Sequence, residues 1–263
     1  MDPAQVRIWL DSERRSGVLD GDEIEVLPLI TRTHSADQTR HSVCFSALSD
    51  DNADENIAEQ VEYFRSQPGE VEWKAYAHDM PPDLLQRLQR DGFDVGPHEA
   101  VLALDLKVPP TWVLEPLVHR VVRIESLNLV PLFREVAERV FNCDWSLIED
   151  DLSRAIRSSS TDHVGYIAFD DDVPAAVGRL YTRSKSMFGG LYGGGTLSAH
   201  RKRGLYRDLI ATRARDAARF GASYLLVDAL PTSRPILESL GFRHLTGTWP
   251  CTLRKPVPTS SSS

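Results

Sequence analysis

Apolar residues recur at helical and strand spacing along the chain and divide it into two runs of elements. Residues 3–16 read as a helix, with Val6, Trp9 and Leu10 on one side among charged residues. A turn cluster follows at 17–22, then a loosely alternating strand at 23–29, a polar stretch at 31–40 and a strand at 41–48. Ile57, Val61 and Phe64 predict a helix over 53–66, and the acids of 50–55 favour its start there. A strand at 71–76, a short helix at 83–90 closed by Gly92-Phe93, and a strand at 100–106 complete the first run. Residues 108–117, with Pro109, Pro110 and Pro116, read as a stiff linker. The second run opens with a strand at 118–124 and amphipathic helices at 130–141 and 146–157. Three meandering strands follow at 163–169, 175–182 and 187–197, then a helix to about 220 capped by Gly221. A strand at 224–229, a helix at 233–240 closed by Gly241-Phe242, and two strands to 253 end the pattern. Residues 256–263 form a serine-rich tail, expected to be disordered.

The chemistry concentrates where the third meander strand meets its helix, Gly193-Gly194-Gly195-Thr196-Leu197-Ser198-Ala199-His200-Arg201-Lys202-Arg203-Gly204-Leu205-Tyr206-Arg207. Leu205, Leu209, Ile210, Ala214, Ala217 and Ala218 give that helix one apolar face. The first turn of a helix carries N–H groups without intrahelical acceptors and favours negative charge, and glycine admits close approach. With Arg201, Lys202, Arg203 and Arg207 around it, this is the composition of a phosphate site. No Lys-Ser/Thr pair follows a second glycine, and no Gly-x-Gly-x-x-Gly opens the helix, so neither an NTPase loop nor a dinucleotide fingerprint fits.

Arg201-x-x-Gly204-x-Tyr206 resembles the acyl-CoA pyrophosphate loop of the GNAT superfamily of N-acetyltransferases. The family pattern is Arg or Gln, two residues, Gly, one residue, then Gly or Ala; Tyr206 departs from it at the last position. The element order from residue 118, β-α-α-β-β-β-α-β-α-β-β, also matches the GNAT fold. Ser233 to Phe242, ending Leu240-Gly241-Phe242, resembles the family's second motif. The resemblance implies an α/β (α+β) fold with a mixed twisted sheet, in which a parallel strand pair splays apart between flanking helices. It implies acetyl-CoA as acyl-donor co-substrate, with Gly195, Thr196 and Leu197 offering backbone groups to the pantetheine arm. Arg201, Lys202, Arg203, Gly204, Leu205, Tyr206 and Arg207 would hold the diphosphate. The N-terminal half echoes the second part of this order, with Leu85, Leu88, Gly92 and Phe93 paralleling Leu237, Leu240, Gly241 and Phe242. It lacks the arginine-glycine loop and is therefore not expected to bind CoA. The expected organisation is a smaller degenerate GNAT-like α+β domain at 1–107, a linker at 108–117, and an intact domain at 118–255.

The reaction implied is direct attack of a neutral amine on the thioester, acetylating a small-molecule or protein amine. Free amines have pKa values near about 10, so a base or water chain must remove a proton. A backbone N–H near Thr196 would polarise the carbonyl. The family's usual leaving-group acid is a tyrosine in the second motif, where this chain has Leu237. Asp228, Ser233 and Tyr192 are the catalytic candidates, each with an ordinary structural alternative: salt bridging, helix capping and packing. Tyr206 is a further candidate for proton transfer. A non-catalytic acyl-CoA-binding protein and an acyltransferase for longer acyl groups are the alternative readings.

Composition narrows the setting. The chain has 263 residues, 41% of them hydrophobic, with no apolar run reaching the ~18 residues of a membrane span. Cys44, Cys143 and Cys251 are widely spaced and without CxxC pairing, which argues for a reducing compartment and against a zinc site. No signal peptide is recognisable, and a cytoplasmic protein with no membrane partner is expected. His34 and His41 lack a third ligand at matching spacing, and the acids of 50–55 lack the alternation of a calcium loop, so no metal is expected. Residues 1–110 carry 22 acids and 10 bases, and the remainder 16 and 20. The bases form one loop cluster rather than a stripe, so nucleic acid is not an expected partner. The acidic first half either solvates a surface or would suit a cationic amine. A homodimer is compatible with the resemblance.

Overall fold

The computed structural model describes residues 1–18 and 23–254. Residues 19–22 of the expected turn and the expected tail at 256–263 lie outside the described residues. Two compact units emerge, one of Met1–Val101 with the chain from Leu245 on, the other Leu102–His244. The border passes through two strands, β6 (Glu99–Asp105) and β12 (Arg243–Leu253), whereas the sequence suggested 108–117.

The first unit contains α1 (Pro3–Ser16), β1 (Glu23–Val26), β2 (Ile30–His34), β3 (Arg40–Ser46), α2 (Ala53–Arg65), β4 (Glu70–Tyr76), α3 (Leu84–Arg90) and β5 (Phe93–Val95). Asp2 caps α1, its carboxylate accepting the Ala4 N–H at 3.0 Å, and Gly17 at φ +70° ends it. Strand order is β1-β2-β3-β4-β12, with β5 also on β12. Ile57 and Phe64 of α2 and Leu88 of α3 pack with Trp73 and Phe93 in its core. The polar stretch expected at 31–40 is corrected here: Thr31 to His34 form the buried strand β2. Its polar side chains find partners on β3 and α2, which the apolar period does not reveal. Thr33 meets Ser42 at 2.7 Å, and Arg32 donates to Gln60 at 2.5 Å. His34 and His41 share a hydrogen bond between their Nδ1 atoms at 2.7 Å, so these are paired core histidines rather than loop residues.

In the second unit, α4 (Thr111–Leu114) occupies the expected linker. Trp112 Nε1–H donates to the Leu240 carbonyl at 3.1 Å and Arg215 Nε–H to the Val113 carbonyl at 2.6 Å, which ties the stretch down. Then come β7 (Arg120–Arg123), α5 (Val130–Phe141), α6 (Ser146–Arg157), β8 (His163–Asp170), β9 (Val173–Tyr181), β10 (Phe188–Thr196), α7 (Leu205–Arg219), β11 (Tyr224–Ala229) and α8 (Arg234–Ser239). Strand order is β11-β10-β9-β8-β7, antiparallel except for the parallel pair β10–β11. Phe133, Val136 and Ala137 of α5 pack with Trp145, Ile167 and Val177 in one core cluster. Leu205, Leu209, Ile210, Ala214 and Ala217 of α7 are all buried, as the apolar period requires. The mixed α+β class and the splayed sheet match expectation, but the two final strands are one continuous strand, β12.

Candidate functional site: an opened parallel strand pair and a glycine-led helix

Strand β10 pairs with β11 only from Phe188↔Tyr224 to Gly190↔Leu226. Yet β10 runs on to Thr196 and β11 to Ala229, so beyond Gly190 the two strands part. A bulge lies just beyond the point of divergence. Against β9, Tyr192 faces Arg179 but Gly195 faces Val177, so β10 carries one extra residue between them. Gly193 takes φ +52° there, a conformation that glycine adopts without steric cost.

The space that side chains would take at the glycines of this bulge is filled by neighbouring protein side chains. A Cβ at Gly193 would stand 2.5 Å from Trp145, and one at Gly195 would stand 2.4 Å from Val140. Phe141 and Trp145 stack at 5.0 Å between centroids beside them. Gly194 faces α7, where the Tyr206 ring and the Arg213 guanidinium each come within 3.3 Å of its absent Cβ.

Of the three residues expected to offer backbone groups, Leu197 is withdrawn, its N–H donating to the Ala175 carbonyl and its carbonyl accepting from His200, and Gly195, two residues back in the same ladder, also turns its groups toward β9. Alternation in an antiparallel ladder then turns the Thr196 N–H and C=O to the opposite edge, toward the opening. Arg201 Nε–H donates to the Thr196 carbonyl at 3.1 Å, strapping the loop to the strand. The Thr196 amide is left facing the opening.

The loop after β10 ends in Gly204, at φ +97°, directly before α7. The first helical bond is the Asp208 N–H to the Gly204 carbonyl at 3.1 Å, so the amides of 204–207 precede the ladder. Beside Gly204 lies the ring of His119, whose Nδ1 meets the Asp208 carboxylate at 2.8 Å. That carboxylate also accepts the backbone N–H groups of Val118 and His119. Three of the four basic residues are less available than their sequence positions suggest, Arg201 being bonded to Thr196. Arg203 pairs with Asp170 at 2.7 Å and Arg207 with Glu115 at 2.6 Å, while Lys202 is exposed at φ +64°. The His200 hydrogen bond, at 2.6 Å, outweighs desolvation and holds Asp170 below the usual carboxylate range.

The catalytic candidates fall on both sides of the opening. Tyr192 and Asp228 stand two residues beyond the last paired couple on their respective strands, at one level. The Tyr192 ring folds back over Gly190 and meets Tyr181 edge-on at 5.0 Å. Ser233 is half-buried and makes no side-chain cap; its hydroxyl donates to the Leu230 carbonyl at 3.2 Å. Leu237, in the position of the usual tyrosine, is fully buried. Arg213 escaped the sequence reading, although the spacing Leu209, Arg213, Ala217 places it on the buried face of α7; a cation at an apolar position was the available signal.

No protein-family model matches the chain. No curated protein matches it by sequence. Solved structures match it at low identity. A GCN5-related N-acetyltransferase from Kribbella flavida aligns at 15% identity, covering 94% of this chain and 95% of that one, with a TM-score of 0.66. An acetyltransferase of the GNAT family from Novosphingobium aromaticivorans aligns at 19%, covering 98% and 100%, with a TM-score of 0.57. A tandem GNAT protein from the clavulanic acid biosynthesis pathway aligns at 12%, covering 88% and 79%, with a TM-score of 0.55. Across nearly its whole length the chain has the fold of the GCN5-related N-acetyltransferases.

Proposed function

We propose that the chain is an N-acetyltransferase that moves the acetyl group of acetyl-CoA to an amine by direct attack. The observation that carries this reading is the end of β10–β11 pairing at Gly190↔Leu226, which leaves a strand edge leading to the amides of Gly204–Arg207. Those amides suit a diphosphate, because the helix dipole favours negative charge and Gly204 adds no side chain to the approach beside the His119 ring. The edge around Thr196 suits an extended pantetheine arm, which can add to it as a peptide adds to a sheet. Acetyl-CoA supplies an activated thioester. The Thr196 N–H donates to its carbonyl oxygen as negative charge develops there. Asp228, across the opening, accepts the proton of the attacking amine or orients it, with Tyr192 at the same level. Trp145, Val140 and Phe141 fill the space at Gly193 and Gly195, which favours a short acyl group over a long one.

Buried Leu237, which has no proton to donate, favours a second reading: an acyl-CoA-binding protein without turnover. Calorimetric titration with acetyl-CoA, followed by thiol release over a panel of amines, separates the readings. Binding with amine-dependent thiol release supports the transferase, and binding alone supports the second reading. Faster release from longer acyl donors would point to a different acyl specificity. Absence of binding overturns both. Among the described residues no helix is long and apolar enough to cross a membrane.

A further inference from the structure

Arg213 is a buried cation to which the fold gives no carboxylate among the described residues. It is 1% exposed. Its Nε–H donates to the Leu209 carbonyl at 3.1 Å and Nη1–H to the Arg179 carbonyl at 3.2 Å, while Nη2 has no partner among the described residues. Two glycines on adjacent strands make room for it: a Cβ at Gly178 would stand 2.7 Å from Nη1, and one at Gly194 would stand 3.3 Å from Nη2. Stripping a guanidinium of water without a counter-charge is strongly unfavourable, and such groups cluster where chemistry needs charge. The Tyr206 ring shares the Gly194 face, its edge 3.3 Å from the absent Cβ. Both groups thus lie under the bulge, on the face of β10 opposite Trp145 and Val140.

We propose that Tyr206 is the acid that protonates the departing thiolate, and that Arg213 is the positioning residue whose charge makes this possible. The inference rests on the acyl-transfer reading above. When the tetrahedral adduct collapses, its carbon–sulfur bond breaks, the electron pair stays on sulfur, and the Tyr206 O–H proton moves to sulfur. The phenolate then regains a proton from water, and the new carbon–nitrogen bond remains in the product. Burial raises the phenol above its ordinary pKa while Arg213 pulls it back down, so the cation offsets the cost of a buried phenolate. The other charged and titratable groups facing Arg213 are Tyr166 of β8, and through it Asp216, which accepts the Tyr166 hydroxyl proton at 2.8 Å. Leu237 leaves the acid's role open, and the departure of Tyr206 from the family's small residue fills it.

The test compares two donors in the full chain: acetyl-CoA, whose alkyl thiolate needs a proton, and an acetyl aryl thioester, whose thiolate leaves without one. Tyr206→Phe keeps the ring and is expected to lower kcat with acetyl-CoA by ~100-fold or more. With the aryl donor its rate stays within about threefold of wild type, so the loss is confined to the donor whose thiolate needs a proton. Equal losses with both donors, or no loss with acetyl-CoA, would overturn the inference while leaving acyl transfer standing. A wild-type chain that releases no thiol overturns acyl transfer itself and this inference with it. Arg213→Met moves the alkaline limb of the kcat profile to higher pH, because the phenolate loses its cation, while Arg213→Lys keeps the limb near its wild-type position. An unmoved limb in a folded Met variant contradicts the role of Arg213. Should that variant fail to fold, the donor comparison in Tyr206→Phe still decides the role of Tyr206, and the limb in Arg213→Lys decides that of the charge.

Discussion

Each unit contains a parallel strand pair that separates part-way, and the two openings hold different contents. In the first unit β3 and β4 pair from Arg40↔Glu70 to Val43↔Trp73, then part while both strands continue for three residues. Arg14 of α1 bridges their ends. Its Nε–H donates to the Cys44 carbonyl at 3.1 Å, its guanidinium lies 3.6 Å from the Tyr76 ring centroid, and Nη2 pairs with Asp79 at 2.9 Å. Asp79 in turn accepts the Tyr76 N–H at 2.9 Å. Ahead of α2 stand Asp50 and Asp51, with Asp54 in its first turn, instead of arginines and a glycine, and Arg87 is bonded to Asp50 and Asp54. In the second unit the corresponding edge offers the Thr196 amide, and the helix behind it begins at Gly204. The comparison teaches that the same backbone opening is closed as a structural joint or left as the groove proposed here for a ligand, according to which side chain ends there and what charge heads the following helix.

The largest effect expected from breaking this contrast is on stability. Arg14→Ala leaves Asp79 buried and uncompensated, which costs about 3–5 kcal/mol. Chemical denaturation followed by tryptophan fluorescence checks this, and a cost below about 1 kcal/mol would remove Arg14 as the joint. Gly204→Glu places a carboxylate where negative charge is to bind, in a backbone conformation that L side chains resist. It should weaken CoA binding by more than ~100-fold in calorimetry, with circular dichroism little changed. The contrast also predicts a stoichiometry of one CoA per chain; two would mean that Arg14 yields to ligand.

Acid provides a finer test. Burial works to raise Asp11, but its hydrogen bonds from His78 and Arg14 prevail and hold it below the usual carboxylate range. A carboxylate depressed in the folded state contributes stability above its unfolded pKa and loses that contribution as pH falls through the folded value. The first unit should therefore weaken below about pH 4, and Asp11→Asn should flatten that dependence in pH-resolved thermal melts. The smallest effect is expected at the rim of the second opening. Glu115→Gln releases Arg207, so CoA should bind up to about threefold tighter at low salt and no tighter at high salt.

Much of this fold was legible from period alone. Helices α5 and α6 begin and end at the residues where the apolar spacing begins and ends, because each buries one face against the sheet. The meander and the glycine before α7 were legible for the same local reasons. Strand β2 was not, since Thr31, Arg32, Thr33 and His34 are polar yet buried, satisfied by partners far along the chain. At the candidate site, the glycine-led loop was legible in the sequence and the edge at Thr196 was implied by the family resemblance, while the withdrawal of Gly195 and Leu197 followed from neither. Nor did the pairing of Arg203 with Asp170 or of Arg207 with Glu115, which depend on residues 33 and 92 positions away.

The sequence by itself determined which faces turn inward, where glycine permits a turn, and that cations gather ahead of one helix. These are properties of backbone sterics and of short-range apolar spacing, which a few neighbouring residues settle. Only the tertiary structure decided where parallel strands stop pairing, which opening Arg14 closes, which cations are neutralised, and that Arg213 lies under Gly194 without a counter-charge. Those outcomes depend on which distant groups meet in space, because charge and hydrogen bonding act between the partners that the fold brings together.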